Sequence, residues 1–469
     1  MDILDDRSEP EPARSSTPAS RIRGPRTPGT VQGMQLFVWP TKYMRQCRDA
    51  YGKRFALKIF PQANLYVLSD PDDIKEMFLA PRSSLHTGRG SAALEKFFGQ
   101  TGLAWLDEKE HLTRRKQLMP SVKGSALRRT EEQIGEMARE AVASWPRDRV
   151  VQLRPYVHRF TIEVIREVVF GKFVPSCWDE LFDAIWDMLK LNERVTTMIE
   201  THNMSPFGVR MLRAIRPLGL DRFFKDRARA DALIARAVAE RMESGEQGDD
   251  MLAVMLGITR EDGSPLSGVE LRDEIMTMFV AGTETTAGGI CWALEHLTRA
   301  PAILERLLDE IDEGADDAFL TATVHEVLRL CPPNPQIIPR EVMKPIEIGG
   351  VRYDPGDQLW ASGYLLHTDP DVYPDPDVFR PERFLGVKPG AYTWIPFGGG
   401  HTRCLGDRIA ILESKAVLRE VLLTCELSRP DAKPDPATSR TVTMTPKHGA
   451  RLTLKSRAQQ GRTVGARAR

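Results

Sequence analysis

Phe397-Gly398-Gly399-Gly400-His401-Thr402-Arg403-Cys404-Leu405-Gly406 is the stretch on which the reading of this 469-residue chain turns. It lies between a proline-rich segment, Asp369 to Arg383, and a run from Asp407 to about Thr424 in which Ile409, Leu412, Ala416, Leu418 and Leu422 recur at helical spacing. Three successive glycines let the backbone bend tightly. The spacing therefore puts Cys404 at the mouth of a helix, where unpaired N–H groups and the positive end of the dipole favour a thiolate over a thiol. Arg403 and Arg408 add positive charge nearby.

A lone cysteine in that place has three readings: a buried structural residue, a nucleophile or redox group, or a ligand to a metal or haem. No second cysteine lies within two or three residues, which weakens the redox-disulfide reading. Zinc fits poorly, because thiolate and imidazole ligands come in closely spaced pairs and His401 is the only other candidate in reach. A single soft ligand flanked by glycines suits iron held mainly by a macrocycle, where the protein supplies one axial sulfur.

The rest of the composition narrows the class. Lys+Arg and Asp+Glu are both 65, so the formal net charge is zero and there is no general attraction to nucleic acid or to an anionic membrane. The 6 cysteines are scattered without disulfide-rich spacing, which suits a reducing compartment. Residues 1–30 are rich in Pro, Ser, Arg and acids and read as a disordered or loosely packed tail; residues 456–469 read as a second, flexible one. The longest apolar candidates, such as Met276 to Leu297, are interrupted by Thr, Glu, Gly and His and read as buried helix. A cytoplasmic, monomeric protein with no membrane anchor is the expectation.

Along the chain the pattern is mostly helical, with a smaller sheet region. Phe55 to Phe60 and Leu65 to Leu68 read as strands, as do Ile346 to Gly349, Val351 to Tyr353 and Gln358 to Ala361. Helical spacing covers Asp72 to Leu79, Glu108 to Met119, Arg129 to Ala143, Phe160 to Phe170, Trp178 to Thr197, Arg222 to Met242 and Leu320 to Leu330. Pro81 to Leu103 reads as a long loop with a helical turn, and Arg440 to Pro446 with Ala450 to Leu454 as a hairpin. Within Ser267 to Arg299, the longest helix, Ala281-Gly282-Thr283-Glu284-Thr285-Thr286 puts small residues, an acid and hydroxyls into an apolar run. Either the hydroxyls bond back to the preceding turn and Glu284 sits in an ion pair, or a kinked helix crosses a cavity there. Glu326 and Arg329, three apart, share one helical face, as do His111 and Arg115, four apart.

Phe397, Gly398, Gly400, Cys404 and Gly406 resemble the haem-binding loop of the cytochrome P-450 family, and the segments at 111–115, 281–286, 326–329 and 379–384 resemble its other motifs in family order. The resemblance implies a single large domain over about 35–455, mainly α with a smaller β region, holding haem b through Cys404 with Phe397 packed against the sulfur. It implies that His111, Arg115 and Arg340 hold the haem propionates, with Arg114 and Lys116 facing outward. Two residues before the cysteine, where the family places His or Arg, this chain has Thr402; either His401 or Arg403 takes over that contact, or other cations carry it. Ala281 and Gly282 would face the haem with room for a small ligand, Glu284 and Thr285 would deliver protons to dioxygen, and Glu326, Arg329 and Arg383 would form a structural network. The region Thr201 to Leu220, with the apolar residues Met198, Met204, Phe207, Met211 and Leu212, would belong to a roof over the substrate. The activity implied is a haem-thiolate monooxygenase that hydroxylates or epoxidises an apolar small molecule such as a fatty acid, terpenoid, steroid or macrolide-like compound. No flavin or nicotinamide motif is present, so electrons from NAD(P)H would arrive through an external ferredoxin or flavodoxin with its reductase, docking on Arg114, Lys116, Arg128, Arg403 and Arg408. The alternatives are a peroxide-driven peroxygenase and a non-enzymatic haem-binding sensor.

Overall fold

The structure is a computed structural model that describes residues 17–59, 64–91, 94–191, 205–215, 219–246, 248–260, 262–314, 316–440 and 442–457. Met198 and Met204, read as roof residues, lie outside them. The first helices are α1 (Gly29–Val38), α2 (Pro40–Tyr51), α3 (Pro71–Leu79), α4 (Thr87–Gly90), α5 (Glu95–Phe98) and α6 (Glu108–Leu118). A helical body follows: α7 (Gly124–Ala143), α8 (Arg154–Phe170), α9 (Trp178–Leu191), α10 (Pro206–Ala214), α11 (Leu220–Ser244) and α12 (Met251–Leu256). It is completed by α13 (Gly268–Leu297), α14 (Pro301–Glu313), α15 (Ala318–Leu330), α16 (Gly363–His367) and α17 (Asp407–Thr424).

The centre is α13. Ser267 starts it with a capping box: its hydroxyl accepts from the Glu270 N–H while the Glu270 carboxylate accepts from the Ser267 N–H at 2.9 Å, so two otherwise unpaired donors are met. Ile275, Met276, Phe279, Ile290, Leu294 and Leu297 are fully buried, and α13 packs against α8, α11, α15 and α17. A helix apolar on nearly every side belongs in the middle of a core.

Strands β1 (Thr17–Pro18), β2 (Arg54–Leu57), β3 (Leu65–Leu68), β4 (Leu85–His86) and β5 (Val150–Gln152) precede β6 (Arg340–Val342), β7 (Ile346–Ile348), β8 (Val351–Tyr353) and β9 (Gln358–Ala361). The last are β10 (Cys425–Ser428), β11 (Ala437–Arg440), β12 (Thr443–Pro446) and β13 (Arg451–Ser456). A five-stranded sheet runs β2-β3-β9-β6-β4, with β3 and β9 parallel. It buries a second, smaller apolar cluster that includes Leu68, Ile74, Phe78, Leu359 and Ile395.

Three sequence expectations change. Residues 17–30, read as tail from their composition, enter the fold: β1 pairs in parallel with β8, Ala19 is buried, and Gln32 of α1 accepts the Lys58 N–H and donates to the carbonyls of Pro25 and Thr27. The two last strands do not form a hairpin together; β12 pairs with β11, whereas β13 lies between β10 and β5, because Gly449 and Ala450 turn the chain away through positive φ. At the other end, Ser456 completes β13 and Arg457 pairs with Asp312, while 458–469 lie outside the described residues.

Candidate functional site

The cysteine loop is closed by its own backbone. The Cys404 N–H donates to the Phe397 carbonyl at 2.9 Å, and the Gly406 N–H approaches the sulfur. Gly400 has φ +66°, and a Cβ there would fall 2.5 Å from the Phe78 carbonyl oxygen, so the turn and its contact with the end of α3 both need glycine. Gly398, also at positive φ, sits against Ile337. The Phe397 ring meets Trp394 at 5.8 Å, and the Arg403 guanidinium lies over the same ring while its Nε donates to Asp407 at 2.9 Å.

Cys404 is the one cysteine of the six with exposed surface, although protein packs closely around it. Burial pushes the thiol pKa up, the Gly406 N–H and the guanidiniums of Arg115 and Arg403 pull it down, and Asp407 adds to the rise. The helix mouth and nearby arginines alone therefore do not outweigh burial, contrary to the sequence expectation; a coordinated cation would, since it deprotonates a ligating thiol.

What holds the loop is a buried ion network. Glu326 and Arg329 form a two-pronged pair at 2.7 and 2.8 Å, both with no exposed surface, and Arg383 reaches Glu326 at 3.4 Å. Arg329 also donates to the carbonyls of His367 and Pro376, and His367 Nε2 accepts the Ile395 N–H at 2.9 Å. The chain of contacts runs from α15 to a residue two before Phe397. Glu326, Arg329 and Arg383 are thus brought together as expected.

On α13 the pattern is sharper. Met278, Ala281, Gly282 and Thr285, spaced i, i+3, i+4 and i+7, keep some accessible surface along a helix otherwise mostly buried and so share one face. The Thr285 hydroxyl donates to the Ala281 carbonyl at 2.7 Å, one turn back, at an accessible position. Glu284 points elsewhere. Arg154 of α8 donates to both its oxygens at 3.0 and 2.9 Å, and His158 Nε2 stands 2.9 Å away. Burial would raise the Glu284 pKa, but His158 and Arg154 together hold it down at about 2. This is the ion-pair reading of Glu284, not the relay, and it separates the two residues read as an acid–alcohol pair. Nor does Gly282 leave a gap for a ligand: a Cβ there would meet Ile165 Cδ1 at 2.4 Å, so the Ile165 side chain already occupies that space.

Basic groups gather beside the loop. The His111 and His401 rings meet edge to face at 6.0 Å, with Arg82, Arg115 and Arg340 close enough to act on both. Burial is the largest cause and these cations add to it, pushing each imidazole down to about 4. His111 is buried, and its Nδ1 has no hydrogen-bond partner; among the described residues the Arg115 guanidinium has no carboxylate within ion-pair distance. A partly buried basic cluster whose Arg115 lacks a carboxylate partner fits a group that brings carboxylates, and the haem propionates would supply two. Arg114 does not face outward as expected. It is buried and pairs with Glu274 at 2.8 Å and Glu270 at 3.0 Å on α13, its apparent outward position having been inferred from Arg115 alone.

A cysteine accessible at a helix start, with basic side chains gathered beside its loop, suits a protein that holds haem through sulfur. The chain belongs to the cytochrome P450 family, whose profile matches residues 24–454. A chain of Mycobacterium tuberculosis named cytochrome P450 135B1 is 31% identical over 440 residues, covering 92% of this chain and 91% of its own length. Another from that organism, named cytochrome P450 137, is 32% identical over 411 residues, covering 86% of this chain and 83% of its own. Among solved structures, the cytochrome P450DA haem domain superposes with a TM-score of 0.78 at 23% identity, covering 95% of this chain and 99% of that one. A retinoic acid-bound cyanobacterial CYP120A1 gives 0.76 at 22% identity, covering 90% and 96%.

Sequence reasoning passed over Arg154, His158, Arg82 and His367. Arg154 and His158 carried a signal: two basic residues four apart beside the apolar run Phe160 to Phe170 imply a buried acid somewhere to receive them.

Proposed function

We propose that this chain is a monooxygenase that uses dioxygen and two externally supplied electrons to hydroxylate or epoxidise an apolar small molecule. The observation that carries the reading is an accessible Cys404 at the start of α17 together with a partly accessible Met278–Thr285 face on α13, two helices that pack against each other. Haem b, when bound, supplies the iron at which dioxygen is activated. Cys404 would hold the haem iron through its sulfur, and the Gly406 N–H would temper the charge on that sulfur. The Thr285 hydroxyl, fixed by its bond to the Ala281 carbonyl, holds a proton or a water at the oxygen-binding face. Glu284 keeps α8 against α13 and so shapes that face without exchanging protons itself.

A fatty acid, terpenoid, steroid or macrolide-like compound is the proposed substrate class, with NAD(P)H electrons delivered by a separate ferredoxin or flavodoxin and its reductase. A cytoplasmic setting accords with six free cysteines. No described helix is long and apolar enough to cross a membrane. The test is a screen of such compounds for a shift of the ferric haem spectrum, followed by turnover with redox partners. Substrate-dependent NAD(P)H consumption with oxygenated product supports the reading; product formed only with added peroxide supports a peroxygenase instead, and neither would leave a haem-binding sensor.

A further inference from the structure

Thr402 stands where the resemblance of the cysteine loop implies His or Arg, and the structure shows where its hydroxyl goes. Arg340, fully buried at 1% exposure, donates through Nη2 to Thr402 Oγ1 at 3.1 Å and to the Gly399 carbonyl at 3.0 Å, and through Nη1 to the Met77 carbonyl at 2.8 Å. Its plane also lies over the Phe78 ring at 5.1 Å. Three hydrogen bonds into the end of α3 and the 399–402 turn make Arg340 a brace for the cysteine loop. A guanidinium so enclosed keeps almost no free surface to offer a further anion.

The neighbours of Thr402 divide just as cleanly. Arg403 is committed to Asp407 and to the face of Phe397. His401 is half-buried, has no hydrogen bond or ion pair among the described residues, and turns its ring to His111. Arg82 is exposed and likewise unpaired among the described residues; with Glu108, Lys109, Leu112, Gly400 and His401 it lines an open groove of about 740 Å³.

We infer that Arg340 is taken up in bracing the loop through Met77, Gly399 and Thr402, and that the haem carboxylate a cation at position 402 would have met is held here by His401 with His111, with Arg82 closing the groove above it and Arg115 serving as the cationic anchor. Arg340 is then a positioning residue, acting through Thr402 and Gly399, and Arg403 has no part in holding the carboxylates. The inference rests on the haem-thiolate reading of the site.

The test uses the haem-loaded full chain and two readouts that need no turnover: the rate of haem transfer to an excess of apomyoglobin, and the propionate bending bands in the resonance Raman spectrum. Losing one charge-assisted hydrogen bond should speed haem loss about tenfold in His401→Ala, with a shifted propionate band. His401→Arg should restore both, Arg82→Ala should speed loss by a smaller factor that disappears in high salt, and Arg403→Ala should stay within about twofold. Thr402→Val should leave the propionate band unchanged while raising protease cleavage in the 397–406 loop, as expected of a brace. Equal haem loss from the His401 and Arg403 variants, or a propionate band unmoved in His401→Ala, would overturn the assignment. Failure of the wild-type chain to bind haem through sulfur would instead sink the underlying reading, so the two failures are distinguishable.

Discussion

Glu284 on α13 and Glu326 on α15 are both buried carboxylates held between basic side chains, yet the sequence made one look catalytic and the other structural. Glu326 has its main partner three residues on, within the same helix, so spacing alone exposes the pair. Glu284 draws its partners from α8, 130 residues earlier for Arg154, and no local pattern on α13 shows them. What Glu284 does show locally, an acid beside a threonine in an apolar run, is shared by a proton relay and by a buried ion pair. Distance in sequence, not chemistry, made the difference between the two readings.

The largest expected effect tests the Glu326 side of that comparison. Glu326→Gln leaves Arg329 buried with its charge uncompensated, a loss of about 3–5 kcal/mol. Urea unfolding of the haem-loaded protein should show it, together with a smaller fraction of chains that take up haem during expression. Stability within about 1 kcal/mol of wild type would mean that the network does not hold the loop.

Glu284→Gln should cost somewhat less and should do so without uncoupling turnover. A carboxyl held at about 2 against its ordinary 4.5 contributes about 3 kcal/mol. The folded pKa is depressed, so this stability is fully present above pH 4.5 and is lost as pH falls toward 2. The gap between wild type and Glu284→Gln should therefore close on acidification over that range in a pH series of unfolding curves. The ratio of product to NAD(P)H consumed should stay near wild type; a raised solvent isotope effect with unchanged stability would restore the relay reading of Glu284.

Thr285→Ala should move stability least and chemistry most. Its hydroxyl makes one bond, back to the Ala281 carbonyl, at an accessible site, so unfolding should change by less than about 1 kcal/mol. Product per NAD(P)H should fall and hydrogen peroxide rise, measured side by side with saturating redox partners. An unchanged ratio would remove Thr285 from oxygen activation.

How far the sequence could be read follows the same rule of locality. Helices α6, α13, α15 and α17, the Cys404 turn and the Glu326–Arg329 pair are legible because period, glycine placement and short spacing are local signals. The parallel pairing of Thr17 and Pro18 with β8 is not, because two residues of strand carry no period and their composition matches a tail. Nor is the burial of Arg114, whose acids Glu270 and Glu274 lie more than 150 residues on, or the place of Thr402, whose partner Arg340 is 62 residues away. Gly282 misleads for a related reason: its missing side chain can admit a ligand or a neighbour, and only the fold shows that Ile165 fills the space.

The central claim is that Cys404 supplies the sulfur to haem iron, and the reduced carbon monoxide complex tests it most directly. The wild-type chain is predicted to absorb at the position diagnostic of thiolate ligation, and Cys404→Ser to lose that band, whereas the serine variants of Cys47, Cys177, Cys291, Cys331 and Cys425, all buried, keep it. A Cys404→Ser protein that retained the thiolate band, or a wild type that never showed it, would contradict the account.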